Sequence, residues 1–237
     1  MNFKILNTKI LILCGGRGRR LGVHTKKLPK PLIKVGKIPI LQHKINYYKK
    51  LGFKNLTFCI GYKANILKNF LKRKHKKVKL SDAGITSGIL KRIFVALKNY
   101  NDTTIISYGD TIAKINLKDL VINHKKSKSL MSLVIAPIKN PFGIVKWNSK
   151  KKLTSFEEKP TLNHFIGYAV IEPKIFKFLN KNIINSKDGE GMVKAIKHLV
   201  LKRLVNVYKY NGLQLTVNSV DELKDARKKI GKYVTFN

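Results

Sequence analysis

Residues 15–20 read GGRGRR, three glycines and three arginines directly after the apolar run TKILILC at 8–14. A glycine-rich turn at the end of a strand can aim its backbone N–H groups at an anion. The guanidinium groups of Arg17, Arg19 and Arg20 match phosphate oxygens bidentately. Shortly after comes KKLPKPL at 26–32, where Pro29 and Pro31 fix the backbone around Lys30 and keep it out of a helix. A rigidly held lysine beside such a turn suits a triphosphate. The stretch is not a dinucleotide fingerprint, because Leu21 stands where the third glycine of G-x-G-x-x-G belongs, and no Gly-Lys-Ser/Thr follows to make a P-loop. The plain alternative is a surface loop in a lysine-rich chain.

Composition sharpens the reading. Lysine and arginine total 50 against 12 acidic residues, for a net charge of +38 over 237 residues. Such a charge suits a polyanion partner such as nucleic acid or an anionic membrane surface. The lysines are spread along the whole chain, though, and Asn and Ile are plentiful too, so compositional drift is the simpler account. Tracts such as KRKHKK at 72–77 read as solvated loops. Weak, salt-sensitive nucleic-acid binding is then expected, with no specific nucleic-acid partner. Against this background the exceptions carry information: only seven residues are arginine, three of them at 17, 19 and 20, and each acid stands out. Asp110 ends the apolar run TTIISY at 103–108, where an unpaired buried carboxylate is costly. It therefore reads as a cation ligand, or more simply as a helix N-cap. The six histidines are scattered and read as structural or surface residues.

These residues need a scaffold. The runs at 8–14, 56–60, 103–108, 130–137, 143–147, 153–156, 166–171 and 204–210 read as strands. The segments 40–51, 65–72, 89–97, 117–126, 189–201 and 220–230 have helical spacing, with Gly52 as a stop signal. Alternation of this kind predicts an α/β fold with a mainly parallel central sheet, and it places Gly15–Arg20 and Asp110 on one edge of that sheet. The length and the 43% hydrophobic content suit a single soluble domain. No apolar run is long enough to span a bilayer, and Ile10–Leu13 is short for a signal-peptide core. Leu13 is a poor fit for the small residue that a lipidation site wants before Cys14. Cys14 and Cys59 read as reduced, buried thiols of a cytoplasmic protein with no membrane partner.

CGGRGRRLGVHTKKLPKPL resembles the signature of the sugar-1-phosphate nucleotidyltransferases, commonly G-G-x-G-T-R-L followed by P-K-P. Arg19 stands where the family usually has Thr. GKIPI (36–40), Tyr108-Gly109-Asp110, FEEKP (156–160) and Ile166-Gly167-Tyr168 resemble further family motifs in the same order. The resemblance covers roughly residues 8–228. Gly61-Tyr62-Lys63, Ser81–Gly84 and Leu90–Ile93 are closest to glucose-1-phosphate cytidylyltransferases, although the turn ITSG at 85–88 is shorter here. The long insertion that those cytidylyltransferases usually carry after the second helix is missing as well.

The resemblance implies a Rossmann-like (GT-A-like) three-layer α/β sandwich with a mainly parallel, mixed central sheet. It implies one domain over 1–237, with a nucleotide-binding half at about 8–125 and a sugar-phosphate half at about 126–230. The implied reaction joins an NTP, CTP first, to a sugar 1-phosphate, glucose 1-phosphate first, and releases pyrophosphate. Arg20 matches the family's phosphate-binding arginine, with Arg17, Gly18 and Arg19 assisting. Lys30 would neutralise the α-phosphate. Leu13, Gly15 and Gly16 would bind base and ribose through backbone groups, with Gly84 and Gly88 near the base. Asp110 would ligate Mg²⁺ together with Asn218, which stands where the family usually has Asp; some uridylyltransferases with this fold use Asn there. An amide oxygen is a hard donor, but it removes one charge, so metal affinity without nucleotide is expected to be weak. Lys159 would grip the sugar phosphate and Glu158 the sugar hydroxyls, with Glu157 facing solvent, while Gly143 and Gly167 let the backbone approach the hexose.

Two alternatives stay open. One is a guanylyl-, uridylyl- or thymidylyltransferase, acting on another hexose or heptose phosphate or on a small phosphorylated acceptor. The other is a catalytically degenerate, basic nucleic-acid-binding protein on the same fold. Family members often self-associate, so a homo-oligomer is a further expectation, with no interface legible in the sequence.

Overall fold

The computed structural model describes residues 2–75 and 78–234. The first part of the chain runs α1 (Asn2–Leu6), β1 (Lys9–Leu13), α2 (Val23–Lys27), β2 (Lys34–Val35), β3 (Ile38–Pro39), α3 (Ile40–Lys50), β4 (Leu56–Ile60), α4 (Ala64–Lys74), β5 (Lys79–Asp82), α5 (Ile89–Leu97), β6 (Thr104–Tyr108) and β7 (Thr111–Ala113). It continues with α6 (Leu117–Ser127), β8 (Met131–Lys139), β9 (Ile144–Trp147), β10 (Leu153–Glu157), β11 (Thr161–Ile171), α7 (Lys181–Asn185), α8 (Glu190–Leu201), β12 (Val205–Lys209), β13 (Gln214–Thr216) and α9 (Val220–Val234).

Seven strands form the central sheet in the order β12-β8-β11-β6-β1-β4-β5. All run one way except β11, which is antiparallel to β6 and β8. The expected mainly parallel, mixed sheet is therefore present. β1 lies inside it, between β6 and β4, and is buried on both faces, which explains its continuous run of Ile and Leu. Ile10 and Ile12 pack with α3, α4 and α6 on one face, whereas Leu11 packs with α5, α7 and α8 on the other. These are the three layers. A third cluster joins β2, the β7–β13 ribbon and α9 through Ile112, Leu215, Val217, Leu223 and Ala226.

Two local expectations need correction. Lys72–Lys74 are exposed, yet they form the last turn of α4 rather than a loop, because Leu67 and Leu71 hold that helix on the core; Lys76 and Lys77 lie outside the described residues. Lys30 is not excluded from all helical structure: it opens a single 3₁₀ turn (Lys30–Leu32) after an extended Pro29. Proline tolerates such a first turn because the missing N–H has no partner there anyway.

β11 is bulged. Its register against β8 shifts between Phe165 and Ala169, and Gly167 sits in the bulge at φ 77°. A Cβ there would come within 2.9 Å of the Tyr108 side chain. Gly167→Ala is expected to cost more than about 1 kcal/mol in urea unfolding, from strained backbone and this contact together. An unchanged midpoint would contradict the bulge geometry.

Candidate active site

A cleft opens at the carboxyl ends of β1 and β6, where the alternating pattern places it. Its larger part is a cavity of about 830 Å³ that reaches from Gly16–Arg20 across Lys30 and Asp110 to Gly167 and Asn218. A smaller part, about 440 Å³, shares Leu13, Gly16, Arg17, Arg19 and Asp110 and extends to Ile85–Ser87 and Arg92. Arg17, Arg19 and Arg20 are exposed and line the cleft, on a turn that passes through Gly18 in the left-handed region into a 3₁₀ turn over Arg19–Leu21. The Thr25 hydroxyl pins this turn by donating to the carbonyls of Gly18 and Gly22.

At the centre, the Lys30 Nζ donates to Asp110 Oδ2 at 2.6 Å and to Asn218 Oδ1 at 2.7 Å. The Lys30 and Asp110 side chains are only 12% and 22% exposed, so this pair works in a medium less screening than water. Asp110 is therefore not the unpaired carboxylate that its place at a strand end suggests, since the lysine supplies its counter-charge. The Thr111 hydroxyl also donates to Asp110 Oδ1, at 3.3 Å. Asn218 reaches the site because β13 pairs antiparallel with β7, Thr216 facing Thr111, and the Val217 N–H donates to the Asp110 carbonyl at 3.0 Å. A reciprocal cap then fixes it: the Asn218 N–H donates to Glu222 Oε2, and the Glu222 N–H to the Ser219 hydroxyl.

On the side lined by Ile85–Ser87, the buried Arg92 guanidinium donates to the Ile60 carbonyl at 2.6 Å. It lies so close to Gly15 that a Cβ there would come within 2.4 Å of Nη1. Burial lowers the pKa of Arg92 from its ordinary value, opposed by Cys59 and Asp82. Gly88 abuts the carbonyls of Ser186 and Asp188, and the Ile89 N–H donates to the Asp188 carbonyl at 2.7 Å, which brings the 186–189 loop into the cleft wall. Neither Gly84 nor Gly88 lines the cavity directly.

FEEKP lies apart from the cleft lining. Glu158 and Lys159 pair with each other at 3.4 Å on an exposed turn between β10 and β11, next to Gly143, and Glu157 is exposed as expected. Sequence reasoning passed over several residues that do line the cleft: Tyr108, His164, Phe165, Asp188 and Glu222. Tyr108 and Phe165 meet edge to face at 5.7 Å, and burial, helped by Asp110, pushes the Tyr108 phenol up. His164 is an exposed surface residue of β11, in line with the structural or surface role expected of the histidines, and it also lines the cleft. Cys14 and Cys59 are free and buried, and burial raises both thiols, Cys59 to about 12, so neither is a nucleophile.

Among the described residues, no group of three or more His, Cys, Asp and Glu is placed to hold a metal ion. Asp110 and Asn218 nonetheless aim two hard oxygens at one cation, the Lys30 ammonium. That stand-in shows that the pair fits a cation, and the oxygen donors suit Mg²⁺ in company with phosphate.

A family model described as Nucleotidyl transferase matches residues 9–228. The chain belongs to that family. It is 26% identical over 204 residues to the glucose-1-phosphate cytidylyltransferase of Salmonella typhimurium, covering 73% of this chain and 79% of that protein. It is 30% identical over 154 residues to the D-glycero-alpha-D-manno-heptose 1-phosphate guanylyltransferase of Campylobacter jejuni, covering 63% and 67%. It is also 28% identical over 224 residues to the Bifunctional protein GlmU of Methanocaldococcus jannaschii; that match takes in 92% of this chain but spans about half (53%) of the relative's length. Among solved structures, HddC from Yersinia pseudotuberculosis complexed with GMP-PN superposes with a TM-score of 0.72 at 17% identity, over 94% of this chain and 99% of that one, a likeness of fold. No helix among the described residues is long and apolar enough to cross a membrane.

Beneath the Gly109-Asp110 turn lies a buried amine that no local pattern marks. Lys44 of α3 is fully buried and donates to the Thr111 carbonyl and to the Tyr168 hydroxyl, the latter at 2.5 Å. Burial lowers its pKa from 10.5 to about 7, against the opposing pull of Asp110. Between about pH 7 and 10.5 the unfolded chain holds a proton on Lys44 that the folded chain has released, so this group makes stability rise with pH in that window. Unfolding of the unaltered chain and of Lys44→Met, compared by urea titration, is expected to shift in favour of the former from pH 7 to 9, by up to about 1.4 kcal/mol per pH unit. A pH-independent difference would contradict a buried, discharged amine.

Proposed function

We propose that the chain is a sugar-1-phosphate nucleotidyltransferase that joins an NTP to a sugar 1-phosphate and releases pyrophosphate. The observation that carries this reading is the family match across 9–228 combined with one cleft that is lined by Arg17, Arg19 and Arg20 and holds Lys30 on the Asp110–Asn218 pair. We take residues 1–237 as one domain, with a nucleotide half at about 8–125 and a sugar-phosphate half at about 126–230. Asp188, from the second half, then closes the wall of the first.

The sugar phosphate is anionic near neutral pH, so its oxygen attacks the α-phosphorus in line without a general base. Catalysis is then positioning and charge neutralisation. Arg20, assisted by Arg17 and Arg19, holds the departing pyrophosphate. Lys30 carries the charge that builds on the α-phosphate. Leu13, Gly15 and Gly16 meet base and ribose through backbone groups, and Gly84 and Gly88 shape the turn beside the base. Gly167 and Gly143 admit the sugar, and Lys159 and Glu158 hold its phosphate and hydroxyls, which requires their exposed turn to fold toward the cleft on binding. Asp110 and Asn218 would hold Mg²⁺, which when bound supplies Lewis-acid neutralisation of phosphate oxygens.

CTP and glucose 1-phosphate are the proposed pair, supported by Ser81–Gly84 and Leu90–Ile93 and by the likeness to the Salmonella enzyme. The higher identity to the Campylobacter guanylyltransferase makes GTP with a heptose phosphate the second reading. Pyrophosphate release is measured with each of five NTPs against both phosphates, with Mg²⁺ present. Release is expected with CTP and glucose 1-phosphate; release with GTP and a heptose phosphate alone would move the specificity, and silence across a wider acceptor set would overturn the function. Arg20→Ala and Lys30→Ala are each expected to lose at least ~10²-fold in rate. EDTA is expected to abolish turnover, and Asn218→Asp to retain it.

A further inference from the structure

We propose that the Lys30 ammonium is a built-in cation that occupies the metal position of the nucleotide-free protein, so that a divalent ion enters only when a nucleotide draws Lys30 away. This deepens the function proposed above and rests on it. The contact is not a casual surface pair. Lys30, Asp110 and Asn218 come from three separate segments of the chain, the two partners 80 and 188 positions beyond the lysine. Asp110 Oδ2 and Asn218 Oδ1 are the oxygens a metal would take, and the ammonium holds both.

Charge makes the two occupants exclusive. Asp110 brings the one negative charge and Asn218 none, so the ammonium already balances the pair. A divalent ion on the same oxygens would lie within a few ångströms of the ammonium, and like charges that close repel strongly in a partly buried site. A triphosphate changes the balance by giving the ammonium a new anion. The path is short. A Cβ on Gly18 would come within 3.2–3.3 Å of the Lys30 Cβ and Cδ, so the lysine stem runs along the arginine-rich turn itself. Pro29 and Pro31 fix the backbone on either side. Only the side-chain torsions of Lys30 need to change for its ammonium to move from the acid–amide pair to an anion on that turn.

The test is Mn²⁺ binding to the full chain without nucleotide, read from the electron paramagnetic resonance of free Mn²⁺. The unaltered chain is expected to bind weakly, and Lys30→Met at least about tenfold more tightly. Arg20→Met removes the same charge nearby without opening the position and is expected to gain much less. Asp110→Asn added to Lys30→Met is expected to abolish the gain. Lys30→Gln keeps the stem and a neutral donor, and serves in place of Lys30→Met if that variant fails to fold. Equal affinity in the unaltered chain and Lys30→Met, an equal gain in Arg20→Met, or no Mn²⁺ binding in any variant would each overturn the proposal. Pyrophosphate release is assayed in parallel: if it stays dependent on Mg²⁺, the proposed function survives the failure of this inference, and if it is absent for every substrate pair, the function itself fails.

Discussion

The site hangs on one ammonium group. Lys30 ties together a proline-flanked turn, the end of β6 and the segment between β13 and α9. A half-buried carboxylate and a half-buried lysine are each costly without a partner, and here each partners the other. The supports around them follow from that need. The β7–β13 ribbon brings Asn218 up to Asp110, the Ser219–Glu222 cap holds it, and Pro29 and Pro31 limit where the lysine can start.

The same constraint explains how so basic a chain makes a selective site. Most of its lysines are solvated, and what they attract is screened and non-specific. The cleft differs because Lys30 is paired with Asp110 at the end of β6 while Arg17, Arg19 and Arg20 line the same cavity. Arg17, Arg19 and Arg20 stay open to solvent and to an incoming anion, whereas Lys30 is half enclosed and already paired. Charge is therefore graded from an open rim to a paired centre, an arrangement suited to receiving a polyphosphate and placing it.

Much of this was legible in the residues. The long elements could be read from their patterns: β1, β4 and β6 as apolar runs, and α3, α5 and α8 as helical stripes, α3 with Gly52 as its stop. Gly15–Arg20, Lys30 and Asp110 could be read because glycine, proline and isolated acids mean something in a lysine-rich chain. Short pieces escaped. β7 and β13 have three residues each, too few to show a period, yet they place Asn218. β5 is a half-exposed edge strand with a mixed pattern. Asp188, His164 and Glu222 come to the cleft only through tertiary folding, so no local signal marks them. Nothing in ILQHKINYYKKL singles out Lys44, and only the packing of α3 on the sheet shows that it is buried under Thr111. FEEKP was legible as a motif, while its distance from the cleft lining was not.

In the proposed cycle Lys30, Asp110 and Asn218 form one junction that a nucleotide rearranges. Crystal structures of the chain alone and with a non-hydrolysable CTP analogue and Mg²⁺ would show it. Lys30 Nζ is expected within hydrogen-bonding distance of Asp110 and Asn218 in the first, and on the α-phosphate in the second, with Asp110 and Asn218 facing the metal. Lys30 turned to solvent in the free chain, or still bridging Asp110 and Asn218 beside a bound nucleotide, would contradict it.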